Sequence, residues 1–279
     1  VPDLRRRGRA TSAGRSHKLI RQMRFIYVLI FSLLGSVGSL SGAAVLLMFP
    51  KLHDRLKTIL LAYAVGTLLG ATFMGLIPEA IEHHPAKPVL LVILGGLFVF
   101  FFLEKILRLP HIHGHAAEQH DHAGEHHAMQ PAAVLILVGD GFHNFVDGIV
   151  IATSFSVSVQ LGVLTSLAVV AHEVPQELGD FTILLQSGWS ARKAYWMNLL
   201  SALPTLPGAL LGYVALQAIE PHIPYLLAIA AASFLYIAMV DLAPILHHES
   251  EFKRNLLQLG GLFLGAGTIS MLHHLLGGH

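Results

Sequence analysis

Apolar residues in this chain gather into runs of about twenty, separated by short polar breaks. Eight runs can be drawn, at 25–49, 58–78, 88–107, 131–155, 161–185, 194–216, 222–245 and 255–276. Each is long enough, as a helix, to cross about 30 Å of hydrocarbon. The pattern predicts an all-α polytopic membrane protein built as a bundle of eight transmembrane helices. Pro50 followed by "KLHDRLK" marks the first boundary and "PEAIEHHPAKP" the second. Most connections are short, so successive helices are expected to be antiparallel neighbours.

Two segments break the pattern. Residues 1–24 include "LRRRGRATSAGRSHK", polar, small and basic, and read as a disordered basic tail. Residues 108–130 include "HIHGHAAEQHDHAGEHH", a low-complexity loop with seven histidines. The division is therefore a tail at 1–24 and an eight-helix transmembrane domain at 25–279. Loop charge sets the orientation. The loops after spans one, three, five and seven carry Lys51, Arg55, Lys57, Lys105, Arg108, Arg192, Lys193, Lys253 and Arg254, against Lys87 alone on the other side. That places the histidine loop in the cytoplasm and both termini outside. The tail's eight basic residues pull the other way, but four separate loops agree with one another.

Composition sharpens this reading. Only 13% of the residues are charged, and mean hydropathy is +0.63, far from a soluble domain at about 25% charged. With no cysteine, thiolate metal sites and disulfides are excluded. Net charge near +1 gives no reason to expect a nucleic-acid partner. The basic start leads into an apolar run too long for a signal peptide, so none is expected. The expectation is a multi-pass protein of the cell membrane, the inner membrane if the source is bacterial. Small residues are dense in "GSVGSLSGAA", "GTLLGATFMG" and "LGAGTIS", as close helix packing in lipid requires.

Nineteen histidines and two polar stripes carry the candidate chemistry. In the fourth span, "GDGFHNFVDG" groups Asp140, His143, Asn144 and Asp147, with His143 and Asp147 at i,i+4. In the fifth, "HEVPQELGD" sets His172 with Gln176 and Glu173 with Glu177 at the same spacing, and Asp180 one turn on. Carboxylates at mid-bilayer cost several kcal/mol each, and neither span holds a Lys or Arg. The compensators left are protons, water or a bound cation. Imidazole with carboxylate suits borderline divalent metals. Pro175 removes a helical hydrogen bond and frees the carbonyl of Ala171, useful along an ion path.

These motifs resemble the ZIP family of divalent-metal transporters. "HNFVDG" is similar to the family's fourth-helix pattern, and "HEVPQELGD" to the fifth-helix signature HExPHExGD of its zinc-transporting subfamily. "AVGTLLGATFMGLIPEA", "FFFLEKILR" and "FLYIAMVDLAPILHH" look like the same subfamily. The resemblance implies eight helices with pseudo-symmetric repeats, a homodimer, and alternating access that moves metal toward the cytoplasm. It implies a binuclear centre: a first metal on His143, Asp147, His172 and Gln176, and a second on Asn144, Asp147 and Glu173. Zinc is the expected cargo, with cadmium, ferrous iron and manganese compatible with the donors; no organic cofactor is expected. The chain departs from the subfamily at Gln176, which replaces a histidine, and at Ala71 and Gly75. Thr205 stands where some bacterial relatives place a glutamate.

Other residues are candidates for flanking sites. Glu104 and Asp241, with His247 or His248, are positioned for an exit site; His83 and His84 for an outer attraction site. Three rival functions compete. An intramembrane zinc hydrolase is suggested by "HEVPQ", one residue short of H-E-x-x-H. A metal exporter of the cation-diffusion type would show six spans. A sensor would bind metal and not move it.

Overall fold

The computed structural model describes residues 22–47, 50–82, 84–112, 125–215, 220–247 and 252–276. Eight helices occupy them: α1 (22–47), α2 (50–82), α3 (Ala86–Ile112), α4 (Glu125–Val157), α5 (Val159–Gln186), α6 (Ala191–Ala215), α7 (223–247) and α8 (Phe252–Leu275). Seven are long and apolar enough to cross a membrane on composition alone. The exception is α5, at 28 residues long enough but interrupted by the acids of "HEVPQELGD".

Some boundaries move. Helix α1 begins at residue 22, so residues 22–24 belong to it and not to the tail. The reason is a contact: Arg24 Nη1 donates to the carbonyl of Ser156 at 2.6 Å, placing a cation on the last turn of α4. Helices α3 and α4 also reach into the histidine-rich loop, to Ile112 and from Glu125. The rest of that loop, 113–124, and the tail 1–21 lie outside the described residues, as do His83 and His248.

Local chemistry explains the breaks. Ser158 caps α5 by accepting from the Leu161 amide at 3.0 Å, so α4 and α5 join through a single residue. Ser190 caps α6 in the same way through the Lys193 amide. Pro204 interrupts α6 between Ala202 and Thr205, because it lacks an N–H and its ring strikes the preceding turn. Three helices also carry a wide π turn, at Leu34–Gly38, Thr72–Leu76 and Ile237–Leu242. Pro175 lies inside α5, which continues through it as helix.

Glycine brings two helix pairs into backbone contact. A Cβ on Gly148 of α4 would sit 2.0 Å from the Thr205 carbonyl oxygen of α6, and one on Gly66 of α2 would sit 2.1 Å from the Leu262 carbonyl oxygen of α8. Fully buried Leu68, Ile151, Phe155 and Phe234 pack α2, α4 and α7 around α5. Helices α3 and α8 turn apolar residues such as Phe98 and Phe263 outward, as lipid contact demands.

Candidate metal centre

The one-residue turn at Ser158 fixes the depth of everything that follows. His143 lies 15 residues before it and His172 lies 14 after it. At about 1.5 Å per residue, antiparallel helices carry both rings to the same level, mid-bundle. There the side chains converge. His143 Nε2 and His172 Nε2 are 3.2 Å apart. Asp147 Oδ2 stands 3.1 Å from His172 Nε2 and 3.8 Å from His143 Nε2. Glu173 Oε1 stands 3.7 and 3.5 Å from the same two nitrogens. Asp147, His172 and Glu173 are fully buried, and His143 is 19% exposed.

The rings are oriented by their surroundings. His172 Nδ1 donates to the Ala168 carbonyl at 2.8 Å, which puts its proton on Nδ1 and leaves the Nε2 lone pair facing the cluster. Its other flank meets Phe234 edge-on, with ring centroids 6.0 Å apart. All four carboxylate oxygens of Asp147 and Glu173 are buried without a hydrogen-bond donor. A tetrahedral metal with bonds of about 2.0–2.1 Å has donor–donor edges of about 3.3–3.4 Å. The five separations above, 3.1–3.8 Å, bracket that value. Two carboxylates with two neutral imidazoles also balance a doubly charged ion.

The arrangement regroups the residues singled out in the sequence. His143, Asp147, His172 and Glu173 form one cluster, which draws Glu173 in beside both histidines. Gln176 stands to one side, lining a cavity of about 330 Å³ with its Oε1 buried and unpartnered. Asn144 is engaged elsewhere: its Nδ2 donates to Asp140 Oδ1 at 3.1 Å, and its Oδ1 lies 2.9 Å from the Thr205 hydroxyl. Periodicity gave no sign of Asn198 on α6, whose Nδ2 donates to the Glu177 carboxylate. A buried Asn in an apolar run is the signal that could have found it.

The cavity reaches His143 from the side on which α3 ends and α4 begins, past Glu104, Asp140, Asp180 and Asp241. The Tyr236 hydroxyl donates to Glu104 across it. The side chain of His247, expected to share an exit site there, lies outside the described residues. A second cavity opens at the opposite end, beside Gly75, Glu79, Glu82, Gln160 and His273, and none of the four clustered donors lines it. His84 packs edge-on against Tyr225, with its Nδ1 buried.

The rivals lose ground on geometry. A H-E-x-x-H hydrolase needs a second histidine where Gln176 stands, and a glutamate free to act as base, whereas Glu173 sits in the donor cluster itself. A six-span exporter does not account for eight helices among the described residues.

Comparison with known proteins agrees. The family described as ZIP zinc transporter matches residues 23–127 and 109–273. Among similar proteins, the Xenopus tropicalis metal cation symporter ZIP14 is 30% identical over 85% of this chain and 66% of its own length. The Drosophila melanogaster zinc transporter ZIP13 homolog is 30% identical over 87% of the chain and 88% of its own. Zinc transporter ZIP13 of Pongo abelii is 32% identical over 97% of the chain, again covering 88% of that protein. With the matched segments running through all eight helices, this chain belongs to the ZIP zinc transporter family.

Proposed function

We infer that the chain carries a divalent metal ion, zinc foremost, through the membrane, held in transit by His143, Asp147, His172 and Glu173. One observation carries this reading. Four buried carboxylate oxygens have no hydrogen-bond donor, and the Nε2 atoms of two imidazoles meet at the same spot, 3.2 Å apart. A cation is the one partner that satisfies acceptors from every side. Gln176, on the cavity side of the cluster, is a weaker amide ligand that an ion meets as it leaves. Asn144 is held by Asp140 and Thr205, and serves a second metal through its remaining lone pair. Cadmium, ferrous iron and manganese are the competing cargoes.

Transport proceeds by alternating access, from outside to cytoplasm, in the cell membrane, with both termini outside and two copies paired as the family resemblance implies. Support for the orientation comes from the basic residues in the helix turns that flank the connections between α1 and α2, α3 and α4, α5 and α6, and α7 and α8. The cavity beside His143 then faces the cytoplasm, so this is an inward-facing state. The glycine contacts tie α4 to α6 and α2 to α8, giving two stiff units, one of which bears the metal.

Proteoliposomes filled with a zinc-sensing dye test the reading. The parent chain should fill them with zinc, and His143→Ala and His172→Ala should not. Uptake that survives both changes, in protein with the parent's gel-filtration profile, would overturn it.

A further inference from the structure

A second polar seam lies between α4, α5 and α6, built from residues outside the four-donor cluster. Glu177 is fully buried, and its Oε2 accepts from Asn198 Nδ2. The same amide nitrogen lies 3.3 Å from the Glu177 carbonyl, so the Asn198 side chain is pinned to Glu177. Ser201, one turn further along α6, donates its hydroxyl to the Asn198 carbonyl at 2.9 Å. Gly141, next to Asp140 on α4, faces the Ser201 carbonyl, which a Cβ there would approach to 3.7 Å. Asp140 is 9% exposed and Asn198 fully buried.

Hydrogen bonding leaves an odd remainder here. Asp140 Oδ2, Glu177 Oε1 and Asn198 Oδ1 are all buried without a partner. Every one is an acceptor. A seam that only glued helices together would pair acceptors with donors, yet no Lys or Arg occurs in α4 or α5. Two carboxylates and an amide oxygen are the ligands of a hard cation.

We propose that Asp140, Glu177 and Asn198 form a second cation site, of oxygen donors only, that takes a hard divalent ion such as Mn²⁺. Asp140 and Asp180 line the cavity that leads to His143, so the seam loads from that cavity through Asp140. The site differs from the histidine-bearing cluster in donors, in helices (α6 contributes) and in the metal it prefers.

Manganese binding to the full-length chain in lipid nanodiscs, followed by loss of the free-ion EPR signal, provides the test. The His143→Ala chain has its histidine cluster disabled and should still bind one Mn²⁺. Adding Glu177→Gln removes one of two charges and should weaken that binding at least about tenfold. Asn198→Asp supplies a third carboxylate and should tighten it by a similar factor, a gain that damage to the fold cannot mimic. A His143→Ala chain that binds no Mn²⁺, or an affinity that neither Glu177→Gln nor Asn198→Asp shifts, would overturn the proposal. Neither result bears on zinc uptake through the histidine cluster, which the liposome assay reads separately.

Discussion

Replacing Asp147 by asparagine should move stability in opposite directions with and without metal. Asp147 Oδ2 lies 3.1 Å from His172 Nε2, and that nitrogen bears a lone pair because Nδ1 donates to Ala168. Without metal, the Asp147 carboxylate oxygen therefore faces a lone pair and has no donor of its own, while His143 Nε2 pairs with that same nitrogen. The amide of an asparagine side chain can offer an N–H at the same distance. A buried acceptor left unmade costs about 1–3 kcal/mol, so metal-free Asp147→Asn should be more stable than the parent by about 1–2 kcal/mol. At about 2–4 °C per kcal/mol for a chain of this order, the midpoint rises by roughly 2–8 °C.

Zinc reverses the order. Losing one charged member of a buried ionic set costs about 3–5 kcal/mol, a drop in affinity of more than about a hundredfold. At zinc one hundred times the parent's Kd, the parent gains about 2.7 kcal/mol, or roughly 5–10 °C. At that concentration the variant, with Kd at or above the free zinc, gains no more than about 0.4 kcal/mol, or roughly 1 °C. Thermal unfolding of both proteins, in chelator and in buffered zinc, reads all four states. A variant that melts below the parent in chelator and keeps the full zinc shift would show that Asp147 is structural and not a ligand.

Three further outcomes follow from neighbouring contacts. Gln176→His restores an imidazole on the cavity side of His143 and should tighten zinc binding by about tenfold in titration calorimetry; unchanged affinity would mean that position 176 faces away from the ion. Thr205→Val leaves Asn144 Oδ1 without its 2.9 Å partner and should cost about 1–3 kcal/mol in thermal unfolding; no loss would mean the contact is idle. Gly148→Val drives side-chain atoms into the Thr205 carbonyl, which a Cβ alone would approach to 2.0 Å. It should separate α4 from α6 and abolish both monodispersity and uptake, whereas the same change at Gly95, with open space around it, should leave both intact.

Much of this was legible in the chain itself. The eight helices follow from apolar run lengths, and the shared depth of the clustered donors from the near-equal spacing of His143 and His172 about Ser158. The break in α6 at Pro204 was also open to a reader who weighed proline against helix continuity. The π turns were not: they arise where packing widens a helix, and no residue type at Leu34–Gly38 or Ile237–Leu242 demands one.

The partition of the fifth-helix stripe was hidden for a deeper reason. Helical periodicity pairs residues four apart, so it groups His172 with Gln176 and Glu173 with Glu177. Residues four apart share a face, and His143 and Asp147 on α4 do enter one cluster that way, but on α5 the cluster draws on two adjacent residues instead. Adjacent residues differ by only about 1.5 Å in depth, and a glutamate is long enough to swing across the intervening arc. The four-donor cluster accordingly takes His172 with Glu173, leaves Gln176 to the cavity and turns Glu177 to Asn198. A stripe that periodicity reads as two chelating faces is divided into a donor cluster, a cavity wall and a contact with α6. That division depends on where α4 and α6 press against α5, which no single helix encodes.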